Sequence, residues 1–265
     1  MTNPLETDPL APLEELDGVL PAAQAAADDI SAVHRHRVNL RKHGMTGAES
    51  VLRGARSSAV LSGGTAALAS DGEISDPVLA QSLRVYDLLA PEVVGETVRT
   101  WNRAPLQVLA KLATVCAPEA PDAGRPQQRP NLPVGLIDER LHLLARMVTT
   151  SKVHGAILAG VVHGELLTLA PFGGGSNPAL QPGTVVDDGM VARAASRLVL
   201  LSSGVDPRGL AVPEVWWSRN PAKYQELAAG FRDGGADGVR QWLLFHLQGL
   251  SEGAREARSI ADAAG

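Results

Sequence analysis

Two stretches of this chain hold the residues whose types and spacing suit chemistry. VVHGELLTLAPFGGGSN runs from Val161 to Asn177, and DDGMVARAASRLVLL runs from Asp187 to Leu201. The first is an apolar segment carrying His163 and Glu165. It breaks at Ala170-Pro171-Phe172 and continues into Gly173, Gly174, Gly175, Ser176 and Asn177. The second reads as a helix that opens on Gly189 and carries a cation at Arg193. A glycine run exposes backbone N–H groups, and a helix start adds further unpaired donors, so the two together suit an anion. Phe172, Gly173 to Asn177, Gly189 and Arg193 are therefore expected to form a nucleotide- or phosphate-binding site. Asp187 and Asp188 approach a metal ion only if the loop before them folds back.

Other chemistries lack their residues. No G-x-G-x-x-G lies between a strand and a helix, which argues against a dinucleotide-dependent oxidoreductase, and G-K-[S/T] does not occur. His34, His36 and His43 sit in a basic segment without clustered cysteines or supporting carboxylates, so no metal site is expected. Cys116, the single cysteine, lies in the apolar run PLQVLAKLATVCAP and reads as core filling rather than as a nucleophile. His163, on an apolar helix, reads as a core histidine with satisfied hydrogen bonds.

Composition sets the frame for these residues. The chain has 265 residues, 45% hydrophobic and only 3% aromatic, so Ala, Leu and Val must fill the core. That choice favours helices. A net charge of −5 gives no general attraction to nucleic acid or an anionic membrane. The basic run HRHRVNLRKHG, His34 to Gly44, is a local exception with two readings. It is either a helix C-terminus capped at Gly44 or a docking patch for an acidic partner. The N-terminal stretch MTNPLETDPLAPLEELDG is acidic and proline-spaced, unlike a signal peptide, and no apolar run reaches membrane-spanning length. A cytoplasmic protein is the expectation.

The elements that must position the candidate site follow from periodicity and punctuation. Residues 1–12 are expected to be disordered. Residues 13–116 are expected to form an N-terminal helical lobe, with one or two helices over 13–40, a short helix over 46–56 and a break at 57–64. Asp76-Pro77 is a helix start, followed by Leu79, Leu83, Tyr86 and Leu89 at helical spacing. Further helices are expected over 91–101 and 105–115. Residues 117–133, rich in Pro, Gly and Gln, read as an exposed linker. A helical core over 134–265 follows. Its helices present Leu136, Leu141, Leu144 and Val148, then Ile157, Val161, Leu166 and Leu169, then 189–203, then Val239, Trp242, Leu243, His246 and Leu250. The fold class is all-α.

The order of apolar helix, glycine loop and arginine-bearing helix resembles the Fic (Fic/Doc) family, whose motif reads H-x-F-x-[D/E]-G-N-G-R-x-x-R. His163, seven residues before Ala170, matches a structural histidine of many members. Tyr224 and Trp242 fall on later helices in the family's order, and the resemblance spans roughly residues 50–250. It implies a Fic-like helical bundle with an N-terminal lobe. It also implies ATP with Mg²⁺ as the family's cofactor pair and transfer of AMP to a protein side chain as its usual reaction. Upstream, GARSSAVLSGG resembles the inhibitory motif [S/T]-x-x-x-E-G, with Ser57 as its first residue and Leu61 at the glutamate position.

The departures from the motif set the expectation for function. Ala170 stands at the catalytic histidine position. Without a gap, only Phe172 and Gly175 match, with Gly174 at the acidic position and Pro178 at the arginine. With a gap, Gly189 and Arg193 match the second glycine and second arginine. Neither alignment places Asp or Glu beside Phe172. Loss of a general base costs on the order of 10²–10⁴ in rate. The expectation is a Fic-like pseudoenzyme without catalytic residues or resident cofactor, acting through an unidentified protein partner or residual phosphate binding, with a homodimer as one possible assembly. The alternative is a divergent nucleotidyl- or phosphoryl-transferring enzyme that uses Asp187, Asp188 and Arg193.

Overall fold

The computed structural model describes residues 8–67, 73–129, 132–173 and 184–265. Among these residues there are eleven α-helices and no strand. No helix is long and apolar enough to cross a membrane. The candidate site lies where α7 (Gly155–Leu169) ends and α8 (Asp188–Ser203) begins. These two helices pack along each other as the centre of the bundle. Every residue of α7 from Ala156 to Gly164 is buried, and so is every residue of α8 from Met190 to Leu200. A helix apolar on all sides has to be enclosed, and the remaining helices form that enclosure.

α1 (Val19–His34) buries Val19, Ala23, Ala26, Ile30 and Val33, a spacing of four and three that makes one seam. That seam lies along α11 (Ala236–Ala263). α11 runs well past the expected limit of Leu250, because Gly253, Ala254, Ala257, Ile260 and Ala261 continue its buried face. α9 (Pro213–Arg219) and α10 (Pro221–Arg232) pack on α11, and α10 also reaches α7. α3 (Pro77–Asp87) starts as its sequence dictates: the Asp76 carboxylate accepts from Val78 N at 2.8 Å and Leu79 N at 3.4 Å, with Pro77 at the first position. α4 (Val94–Trp101) and α5 (Pro105–Cys116) complete the wall against α8. α6 (Val134–Thr150) buries Ile137, Leu141 and Leu144, while Leu136, expected in the core, is 43% exposed.

Three local expectations are corrected. Residues 8–12 do not belong to a disordered tail: Ala11–Leu13 is a 3₁₀ turn, and the Asp8 carboxylate accepts from Ser151 Oγ at 2.7 Å. The helix expected over 46–56 is part of α2 (Arg37–Leu61), which bends at Lys42. Gly44 therefore lies inside α2 and caps nothing. The expected break at 57–64 is helical to Leu61, because Ser58 and Ala59 are buried; the stop comes at Gly63, whose φ of 84° suits only glycine. Residues 117–129 hold no helix, yet they bind the end of α7: Gln127 N donates to Pro171 O at 2.8 Å, and Arg129 Nη1 donates to Thr168 O at 3.1 Å. A single apolar cluster runs from Leu10 to Ala257 through both halves of the chain.

Candidate functional site

α7 is drawn close to its neighbours by its glycines. A Cβ on Gly164 would stand 2.7 Å from Trp242 Nε1 and 2.9 Å from Phe231 Cε1, so only glycine admits those rings. Trp242 Nε1 donates to Gly160 O at 2.9 Å in the same contact. The sequence GVVHGE thus serves helix packing. The helix ends at Ala170, a non-glycine residue at φ 44° and ψ 64°. This left-handed cap turns the chain through Pro171 into Phe172, which is buried. Arg129, reaching the last carbonyls of α7, places a cation at the negative end of the helix.

The returning strand of the loop is fixed as tightly. Gln81 Nε2 donates to Val185 O at 2.7 Å, and Asp187 N donates to Cys116 Sγ at 3.4 Å. Asp187 caps α8, its carboxylate accepting from Met190 N at 2.9 Å. Asp188 turns back across the loop instead of toward solvent. Its two oxygens accept from Phe172 N at 2.8 Å and Gly173 N at 2.7 Å. Two of the amides expected to meet a phosphate, those of Phe172 and Gly173, are therefore satisfied by the protein's own carboxylate. Burial raises the Asp188 carboxyl from 3.8 to about 7, with Asp187 adding to the rise, against the two amides and Arg129, which lower it. Gly174, Gly175, Ser176 and Asn177 lie outside the described residues.

Arg193 is 2% exposed and is engaged by the end of α2 and by Tyr224. Its guanidinium lies over Gly189, where a Cβ would stand 3.0 Å from Nη1. Nε donates to Ser58 Oγ at 2.8 Å, and Nη2 donates to Ser58 O at 3.1 Å and to Ser62 Oγ at 2.8 Å. The residues of α2 that hold the arginine are thus Ser58 and Ser62, one position along from the expected Ser57 and Leu61. Ser57 is half-buried, and Leu61 packs on the core. The chain reads S-x-x-x-S-G from Ser58 to Gly63, so both serines that hold the arginine stand four apart, one turn of helix.

A buried hydrogen-bond chain continues from Arg193. Arginine only donates, so Nη1 donates to the Tyr224 oxygen at 3.4 Å. The Tyr224 hydroxyl, 2.7 Å from His163 Nε2, then donates to that nitrogen. His163 consequently carries its proton on Nδ1 and donates it to His246 Nδ1 at 3.2 Å. Burial pushes both histidines down, His163 well below its usual range and His246 to about 3, so both rings are neutral. Trp217 and Trp242 flank His163 with ring centroids 4.7 and 5.1 Å away. The expectation that His163 is a core histidine describes this arrangement, although local pattern does not pair it with His246, 83 residues later. Cys116 is fully buried and its thiol is pushed up to about 12 by burial, as befits packing rather than nucleophilic attack. Among the described residues, no three His, Cys, Asp or Glu side chains converge in a way that could hold a metal ion.

The backbone course decides the kinship. Over 90% of this chain and 74% of the other, the structure is similar to a solved Fic family protein from Desulfovibrio desulfuricans G20, with a TM-score of 0.58 and 15% sequence identity. The chain has the Fic fold. Comparisons with protein-family models and with curated protein sequences give no match. At 15% identity the likeness concerns the Fic fold alone, so the chemistry has to be read from the residues present. Within it, α7 ends at Ala170. Asp188 occupies the first amides of the loop, and Arg193 is enclosed under the end of α2.

Proposed function

We propose that the chain is a Fic-fold pseudoenzyme that acts through protein contacts. The observation that carries this reading is the engagement of the Asp188 carboxylate by Phe172 N and Gly173 N. An internal anion there competes with any phosphate for the same donors. Two further observations support it. The methyl group of Ala170 cannot take a proton from a hydroxyl, and the Arg193 guanidinium is already shared among Ser58, Ser62 and Tyr224. The described residues consequently do not fit nucleotide phosphates with Mg²⁺: the Phe172 and Gly173 amides are taken, the arginine is bound to Ser58, Ser62 and Tyr224, and the Asp188 carboxylate is bound to the backbone.

The test is incubation of the full chain with labelled ATP, GTP, CTP and UTP in the presence of Mg²⁺ and a mixture of acceptor proteins. No label is expected on the acceptors or on the chain itself, and Ala170→His is expected to restore none. Nucleotides are expected to leave the unfolding temperature unchanged, whereas a ligand at 100 times its dissociation constant would add about 2.7 kcal/mol.

One observation favours a second reading, a divergent transferring enzyme. A carboxyl raised to about 7 is suited to proton transfer at neutral pH. Under that reading label appears on an acceptor, and Asp188→Asn abolishes it. Label that depends on Asp188 would overturn the pseudoenzyme reading.

A further inference from the structure

The basic run at His34–Gly44 is not explained by capping, since Gly44 lies within α2 and a Cβ there would meet nothing within 4 Å. Its cations occupy the first turns of α2, where the unpaired N–H groups already make the helix end positive. Arg37 is the first residue of α2, and the N-cap residue His36 makes no side-chain capping bond. Some of the charge is answered nearby. His34 pairs with Asp206 at 2.8 Å, His36 with Asp262 at 3.2 Å, and Lys42 Nζ donates to Ala264 O at 3.0 Å. Arg37 and Arg41 are exposed and have no ion-pair partner among the described residues, and the same holds for Arg258 of α11. The acidic groups near this corner are Asp29, Glu252 and Asp262; Glu252 is paired with Arg255 and Asp262 with His36.

Apolar side chains stand among these cations. Leu40 is 60% exposed and Met45 53%, the highest values for large apolar residues in the described chain. Arg37, Leu40 and Arg41 share a helix face by their spacing of three and four. Where α1 ends against α11, His36, the residue before Arg37, lines a cavity of about 190 Å³. Val33 and Ala254 in its lining are buried, and Asp29, Arg35, Arg255 and Arg258 line it as well. A volume of this size admits one side chain.

We propose that this corner of α1, α2 and α11 docks an acidic amphipathic segment of another protein. The segment's carboxylates meet Arg37, Arg41 and Arg258, its apolar side chains cover Leu40 and Met45, and one of its side chains enters the cavity. A chain of net charge −5 repels an extended polyanion beyond the patch, which favours a short acidic peptide over nucleic acid or a membrane plane. The alternation of cations with two exposed apolar residues asks for a partner that alternates likewise. The surface shares no residue with the ends of α7 and α8, so the proposal stands or falls independently of chemistry there.

The experiment uses the full chain and a short fluorescent peptide of alternating Glu and Leu, followed by anisotropy at several salt concentrations. Arg37→Glu with Arg41→Glu is expected to weaken binding by about tenfold or more and to flatten its salt dependence. Leu40→Ser with Met45→Ser is expected to weaken it by about tenfold at unchanged salt dependence. All four positions are exposed, so circular dichroism and the unfolding temperature should match those of the parent chain. Lys223→Glu, an exposed charge on α10, is the control and should leave binding unchanged. Equal binding by the charge-reversed and parent chains would overturn the proposal. So would no binding by the parent chain, or stronger binding to phosphatidylserine vesicles or single-stranded DNA than to the peptide.

Discussion

Asp188 offers the sharpest test of how the α7–α8 loop is held. Its carboxyl is buried, which raises it from an ordinary 3.8 to about 7 in the folded chain. Because the folded value is the higher one, the folded state binds the extra proton between those two pH values. Stability from this group is therefore complete below about pH 4 and is lost as pH rises through 7. The span of roughly three units corresponds to about 4 kcal/mol. Two neighbours act in the opposite direction: His163 and His246 must fold neutral, so their contribution is complete above 6.5 and lost on acidification. The measurement must separate the carboxyl from the histidines.

Asp188→Asn does so. The amide keeps one acceptor for Phe172 N or Gly173 N and loses the other, an offset that does not depend on pH. Chemical denaturation of both proteins between pH 4 and 8 then isolates the titrating group. The variant is expected to gain about 4 kcal/mol relative to the parent across that range, a shift in Tm on the order of 10 °C. A difference constant with pH would mean that Asp188 is solvated and released from the two amides. That result would remove the main support for the pseudoenzyme reading.

Other substitutions probe the elements around the loop. Gly164→Ala drives a methyl into Trp242 and Phe231 and should cost about 1–3 kcal/mol in urea denaturation; a neutral result would mean that α7 and α11 are not in close contact. Ala170→Gly relieves the left-handed cap and should stabilise by about 0.5–1 kcal/mol, whereas destabilisation would contradict the backbone seen at that residue. Cys116 should react with Ellman's reagent only after unfolding, and rapid labelling of the native chain at pH 8 would refute its enclosure.

Helices with punctuation were legible in the sequence, and those without it were not. Asp76-Pro77 carried both cap and first-turn signals, and α3 begins there. α2 was divided into pieces because Gly44 and the serine run over 57–62 resemble stops, whereas burial of Ser58 and Ala59 keeps the helix going. Small residues hid the length of α11, since Gly253, Ala254 and Ala257 form a buried seam without large apolar side chains. At the candidate site, the apolar helix, the break at Ala170 and the buried His163 could be read from local pattern. The direction of a side chain could not. Arg193 was expected to face the glycine loop and instead faces α2, because Ser58 and Ser62 lie more than 130 residues earlier in the chain. Nor does periodicity show that a loop returns the Asp188 carboxylate to Phe172 and Gly173.

Arg193 is fully buried yet has no carboxylate within ion-pair distance among the described residues. An enclosed cation of that kind is costly unless its donors are satisfied. Here two serines, a backbone carbonyl and a tyrosine do so, and the tyrosine passes the polarity on to two neutral histidines. Removing any one member leaves a buried donor or acceptor without a partner, at about 1–3 kcal/mol. The surroundings of Arg193 thus fasten α2, α7, α8, α10 and α11 together. A guanidinium fixed in this way has few donors left for a ligand. In this chain the position contributes stability, which leaves the exposed cations at the α1–α2 corner as the groups free to meet a partner.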